Sequence, residues 1–265
     1  VNQVGVLTPS HVAHARELRD QIPEAVLQYA HDLYSARAVV YALLLDKEDT
    51  ANRSSQLSII QAEAHEDLFR LTTECLSLVN QLPRPLYLPL LEICKSTLRG
   101  LSAEYFQRFK ANIQALVAAD KKITLFEWSL QRSLIHHLEA HQRNRFDKAN
   151  YSKKLLKLAG PARLLLSTLC YAGHSDLVSS GKAFSAAIAE LRVSWVLLPT
   201  SDCSLSLLDS AVTSLVQLLP RHKEKLVAAC VAAVTADGQI SVKEAELLRA
   251  VTELLECPLP PLLAA

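Results

Sequence analysis

The chain has 265 residues, of which 50% are hydrophobic and 21% are charged, and its formal net charge is +1. This composition excludes a disordered chain, because it provides enough apolar surface for one or two folded domains. The balanced charge gives no sign of a nucleic-acid-binding protein, and no apolar run reaches the roughly 20 residues that a membrane-spanning helix needs. Leucine and alanine predominate and few segments alternate in polarity, so we expect an all-α fold.

The first third of the chain reads as an antiparallel array of helices. Apolar residues recur at helical spacing, and the breaks fall at Pro23, at the charged turn 46–49 and at the Pro-Arg-Pro segment 83–85. Because prolines stop a helix, we predict a domain boundary at the last of these breaks. The expected domains are an N-terminal helical array over residues 1–84 and a second helical domain over residues 85–265.

The second predicted domain contains an internal repeat. Residues 119–127 and 236–244 share the pattern A-D-x-x-I-[ST]-[LV]-x-E, at a spacing of 237 − 120 = 117 positions. The same spacing aligns flanking apolar positions without a gap, which defines repeat units of about 90–139 and 207–256. Since apolar stripes at helical spacing lie on both sides of each motif, we expect each unit to be a helix hairpin.

Each motif places an aspartate and an S/T-x-x-E sequence in the turn of the hairpin. Thr124 and Ser241 fit as N-caps of the second helix, and Glu127 and Glu244, three residues later, complete a capping box. A second interpretation is cation binding, if the two turns face each other across a local two-fold axis. The carboxylates that would then meet are those of Asp120, Glu127, Asp237 and Glu244.

A histidine pair and a basic segment are further candidate sites. His137 and His141 have the spacing of a zinc-binding pair, without an evident third ligand, and the helix dipole also favours histidine at a helix C-terminus. The basic segment between the repeats predicts either a solvated face or contact with an anionic membrane surface or an acidic partner. Its residues are Arg143, Arg145, Lys148, Lys153, Lys154 and Lys157.

No catalytic signature is present in the sequence. We find no G-x-S-x-G motif and no glycine loop that would bind phosphate. The six cysteines are scattered without a C-x-x-C pair, which favours buried thiols in a reducing compartment. The apolar residues 195–199 predict a connection that packs into the core.

The paired turns resemble those of the TerB-like (tellurite-resistance) helical domain. In that family the acidic residues of such turns are thought to form a metal-linked or partner-binding site, which the resemblance assigns to Asp120, Glu127, Asp237 and Glu244. Lys121 stands where the pattern has glycine.

Longer strings carry a wider resemblance. They are ARAVVYALLLD at 36–46, LPLLE at 88–92, ITLFEW at 123–128 and EAELLR at 244–249, with CPLPP at 257–261. Almost the whole chain is similar to the C-terminal, non-catalytic region of bacterial membrane-bound zinc metallopeptidases of the HtpX-like, CAAX-prenyl-protease family. The family's membrane helices and its H-E-x-x-H helix are absent from these residues.

The wider resemblance implies a soluble accessory domain on the cytoplasmic side, which regulates the protease or docks a substrate or partner protein. It places the zinc in the parent catalytic domain and implies no cofactor in this chain. Two other functions stay open from the sequence: a divalent-metal-sensing stress-response module that uses the four carboxylates, and an oligomerisation scaffold.

Overall fold

The computed structural model describes residues 9–63, 66–119, 124–142 and 151–257. Within these ranges the chain forms thirteen α-helices and no β-strand beyond one isolated bridge between Lys153 and Leu218, so the all-α prediction is confirmed. The helices are α1 (Pro9–Asp20), α2 (Glu24–His31), α3 (Ser35–Leu44), α4 (Thr50–Glu63), α5 (Glu66–Val79), α6 (Tyr87–Leu98), α7 (Ala103–Ala119), α8 (Leu125–Gln142), α9 (Ala159–Gly173), α10 (Leu177–Leu191), α11 (Leu205–Leu215), α12 (Pro220–Val234) and α13 (Val242–Leu254).

The chain divides into two compact units, one of residues 13–143 and one of residues 144–265, with which the described residues 9–12 are grouped. We call residues 13–143 the first unit and residues 144–265 the second unit. This division differs from the boundary predicted at residue 85, because α6 packs against α2 and α3 and so belongs with the helices that precede it. The two repeats accordingly fall in different units, and residues 85–265 do not form one domain.

The first unit is built around α3. Every residue of this helix except Arg37 is buried, as expected for a helix that is apolar on all sides. Asp32 begins the helix, since its Oδ1 accepts hydrogen bonds from the backbone N–H groups of Tyr34 and Ser35 at 3.1 and 2.8 Å. Around α3 pack the helices α2, α5, α6 and α7.

The second unit is built in the same way around α9. An unbroken run of buried residues, 164–170, covers the middle of this helix. The helices α10, α11, α12 and α13 all pack against it. A single apolar central helix therefore organises each unit.

The last two helices of each unit correspond in position. The start of α12 lies 220 − 103 = 117 residues after the start of α7, and the start of α13 lies 242 − 125 = 117 residues after that of α8. In the first unit α7 packs on the central helix α3 and on α4, and in the second unit α12 packs on the central helix α9 and on α10. Each repeat thus forms the helix hairpin that its sequence predicts.

The prediction that residues 195–199 pack into the core is wrong. Val196 is exposed and Trp195 is only half-buried. The segment is extended, and its backbone polar groups use side chains of α9: Leu198 N–H donates to Ser167 Oγ at 3.1 Å, and the Tyr171 hydroxyl donates to the Leu198 carbonyl at 2.7 Å. Because these backbone groups need partners, the segment lies along the surface of α9.

A buried lysine of α6 forms an ion pair within its own helix and a hydrogen bond to α8 in the first unit. Lys95 is only 1% exposed, and its Nζ lies 2.8 Å from the Glu92 carboxylate and 3.1 Å from Ser133 Oγ. If the carboxylate is removed, the ammonium group stays buried. It still bears the free-energy cost of desolvation but no longer has a compensating charge.

We therefore expect Glu92→Ala to lower the free energy of unfolding of the first unit by roughly 3 kcal/mol, and Lys95→Met to change it by less than about 1 kcal/mol. Urea unfolding followed by Trp128 fluorescence in a Trp195→Phe background measures the first unit alone. Equal losses in the two variants would contradict this account.

Candidate functional site

The turn before α13 has the capping box that its sequence predicts. Ser241 Oγ accepts the Glu244 N–H at 3.3 Å, while Glu244 Oε2 accepts the Ser241 N–H at 2.9 Å and the Ser241 hydroxyl at 2.7 Å. Gly238 takes a left-handed conformation in this turn, with φ of 78°, which glycine adopts at no steric cost. The side chain of Glu244 is therefore committed to the start of its own helix.

The turn before α8 has the same hydrogen bonds. Glu127 Oε2 accepts the Thr124 N–H at 2.7 Å and the Thr124 hydroxyl at 2.9 Å, and Thr124 Oγ1 accepts the Glu127 N–H at 3.3 Å. Both glutamates are buried. The capping-box prediction is confirmed in both units.

The proposed meeting of four carboxylates stays a prediction. Asp120 lies outside the described residues, and Glu127 and Glu244 belong to different units. Asp237 accepts the Gln239 N–H at 3.0 Å and lies 3.8 Å from His174 Nδ1. Within the described part of the chain, no three His, Cys, Asp or Glu side chains lie close enough together to hold a metal ion.

Glu244 packs directly against the end of the central helix α9. A Cβ atom added to Gly173 would lie 1.8 Å from Glu244 Oε1 and 2.7 Å from its Cγ. Because the capping box holds this carboxylate in place, the side chain cannot move aside without breaking its bonds to Ser241. In the second unit the space between the central helix and the turn is therefore filled.

The corresponding space in the first unit is an open cleft of about 840 Å³. The connection from α3 to α4, residues 45–49, is longer than the connection from α9 to α10, residues 174–176. The cleft lies between this longer connection and the first turn of α8. Its lining residues include Leu43, Leu45, Asp46, Lys47, Glu48, Asp49, Asn52, Arg84, Thr124, Phe126 and Glu127.

Most carboxylates of the cleft are already bound to groups of the protein. Asp46 accepts hydrogen bonds from the N–H groups of Glu48 and Asp49 and from the Asn52 amide, and the Asn52 bond is the main reason that its pKa is lowered. Asp49 caps α4 by accepting the N–H of Ala51 at 2.8 Å. Glu127 belongs to the capping box, so these acids carry a structural role.

Two cations, Lys47 and Arg84, lie close together in the lining of the cleft, both beside the Tyr87 ring. Burial of the ammonium group, together with the nearby charge of Arg84, lowers the pKa of Lys47 to about 8. The Lys47 Nζ lies 4.2 Å from the centre of the Tyr87 ring, and the Arg84 guanidinium lies 3.5 Å from that of Phe126. The sequence analysis did not select this pair, because its members lie far apart in the chain and meet only through packing.

One histidine of the pair at the end of α8 already accepts a hydrogen bond from another side chain. His137 Nε2 accepts a hydrogen bond from Arg99 Nε at 2.8 Å, so this lone pair is directed at a guanidinium. His141 is exposed in the last turn of the helix. Zinc binding by the pair stays a prediction.

The basic segment is described only in part. Arg143, Arg145 and Lys148 lie outside the described residues. Lys153, Lys154 and Lys157 are all exposed on the second unit.

Comparison with protein-family models, with characterised proteins and with solved structures gives no match for this chain. None of the described helices combines the length and apolar character that would let it cross a membrane.

The contact between Glu244 and α9 predicts opposite effects at two helical glycines of the second unit. Gly173→Ala should lower the free energy of unfolding by about 2 kcal/mol, because the new methyl group collides with a carboxylate that cannot relax. Gly181→Ala meets no atom within 4 Å and should raise it by about 0.5 kcal/mol.

Urea unfolding followed by Trp195 fluorescence in a Trp128→Phe background measures both glycine variants. A stabilising effect of alanine at both positions would show that Glu244 is free to move.

Proposed function

We propose that this chain is a non-catalytic docking module, and that the cleft of the first unit binds an extended, acidic segment of a partner protein. The observation that carries the proposal is the pair of neighbouring cations, Lys47 and Arg84, in the lining of an open cleft in which Asp46, Asp49 and Glu127 are held in place by hydrogen bonds. This function agrees with the accessory role that the resemblance to membrane-bound zinc metallopeptidases implies.

The electrostatics of the pair support an anionic ligand. Partial loss of hydration and, second to it, the nearby charge of Arg84 both disfavour the charged form of Lys47 and lower its pKa. A carboxylate placed between the two cations would offset both terms and would gain charge-assisted hydrogen bonds. The chemistry of the site therefore suits a carboxylate better than a metal ion.

The remaining lining residues suit a peptide. Leu43, Leu45 and Phe126 give the cleft an apolar side, next to the cations. A segment that alternates apolar and acidic side chains can satisfy both parts of such a cleft, since alternate side chains of an extended chain point in opposite directions. The ligand class that we propose is such a segment in a protein substrate or partner.

Binding of an acidic peptide should be coupled to proton uptake. At pH 8 a group with a pKa of about 8 is half protonated, so a ligand that raises the pKa of Lys47 takes up as much as about half a proton. At pH 6 the ammonium is already charged and uptake should vanish. Titration calorimetry of a hexapeptide of alternating leucine and glutamate, in buffers of different ionisation enthalpy, measures this uptake.

Two controls make the titration specific. Replacing the glutamates of the peptide by glutamine should abolish binding, and Lys47→Met should abolish proton uptake and weaken binding about tenfold. Lys182→Met removes the same charge from an exposed position of the second unit and should leave both unchanged. Equal binding of both peptides, or uptake that persists in Lys47→Met, would refute the site.

The docking role also predicts that the chain has no hydrolytic activity of its own. Purified protein incubated with casein should release no fragments, with or without added zinc, because we place the catalytic machinery in a parent domain. Zinc-dependent cleavage by the pure chain, abolished by chelation, would overturn the proposed function.

A further inference from the structure

An exposed leucine projects from a group of lysines on the second unit. Residues Leu155–Leu158 form a 3-10 turn in which Leu155 is buried and Leu156 is 73% exposed. Lys154 and Lys157 stand on either side of this turn and are exposed. The buried leucine anchors the turn while its neighbour faces outward.

Backbone hydrogen bonds hold this turn next to the start of α12. The Lys153 N–H donates to the Gln217 carbonyl at 3.0 Å, and the Leu219 N–H donates to the Lys153 carbonyl at 2.9 Å. Pro220 then begins the helix. The position of the lysines relative to the first turn of α12 is therefore set by main-chain bonds.

The first turns of α12 add further positive charge at the same place. Burial lowers the pKa of His222, and the nearby charges of Arg221, Lys225 and Lys154 lower it further. Arg221 and Lys225 are four residues apart on one helix face, an arrangement that repulsion disfavours. None of the described carboxylates forms an ion pair with these three cations.

Lys223, on the same helix, differs from these cations because it is buried and paired with a carboxylate. Lys223 is buried, and its Nζ lies 3.0 Å from the Glu256 carboxylate and 4.1 Å from the centre of the Tyr151 ring. The inward lysine is thus paired with a carboxylate, whereas the outward cations form no ion pair with any acid in the described ranges. We name the outward group, Lys154, Leu156, Lys157, Arg221 and Lys225, the basic turn surface.

We propose that the basic turn surface binds the surface of a bilayer that contains anionic phospholipids. Its cations would lie among the phosphate and carboxylate headgroups, where each adds to the attraction, and Leu156 would enter the acyl boundary. A nucleic acid would use the cations but gains nothing from an exposed leucine, so the apolar residue favours the bilayer. This surface belongs to the second unit and is independent of the cleft.

Vesicle co-sedimentation of the full chain tests the proposal. The chain should bind vesicles of phosphatidylcholine that contain phosphatidylserine, and should not bind vesicles of phosphatidylcholine alone. Raising the salt concentration from about 0.05 to about 0.5 M should release it, because screening weakens the contact. Binding that is equal for both vesicle types, or absent for both, would overturn the proposal.

Two variants separate the apolar and the charged parts of the surface. Leu156→Ser removes the apolar group without a change of charge and should lower the partition coefficient about tenfold. Arg221→Glu combined with Lys225→Glu should lower it at least about tenfold. The matched controls are Leu177→Ser, at a leucine that is 69% exposed, and Lys182→Glu combined with Lys243→Glu, and they should bind as the unmodified chain does.

The same variants identify a nucleic-acid ligand if there is one. Binding of single-stranded oligonucleotides that falls with the charge reversal but is unchanged by Leu156→Ser, without binding to anionic vesicles, would assign the surface to nucleic acid and refute the bilayer. All the substituted side chains are exposed, so each variant should fold. Circular dichroism checks that it does.

Discussion

The arrangement of both units depends on a buried glutamate that belongs to the turn before their last helix. Glu127 and Glu244 accept the backbone N–H of the residue three positions earlier, which caps the start of the helix. A buried carboxylate is costly unless hydrogen bonds satisfy it, so the turn and the helix form together.

The same turn has different surroundings in the two units. In the second unit the carboxylate of Glu244 lies against Gly173, where the absence of a side chain lets the turn and the central helix touch. In the first unit the longer connection after α3 leaves a cleft beside Glu127. A repeated element thus produces a closed contact in one unit and an open cleft in the other, which is why we assign docking to the first.

The even balance of charge over the chain conceals local imbalance. Lys47 and Arg84 lie together at the cleft, and the cations around His222 lie together at the start of α12, while several acids are bound to backbone N–H groups at helix starts. Acids that cap helices keep their negative charge, but their hydrogen bonds fix where that charge lies. Binding surfaces for anions can therefore arise in a chain whose net charge is +1.

The sequence by itself determined the helices, the helix hairpins of the repeat and the capping boxes at Ser241 and Thr124, because each depends on residues within a few positions of one another. It did not determine the division into units, since prolines at 83–85 end a helix without ending a domain and α6 packs on earlier helices. Only the tertiary structure decided the contact of Gly173 with Glu244 and the meeting of Lys47 with Arg84. Both join residues that are distant in the chain, and helical periodicity reports which face is apolar but not which helix covers it.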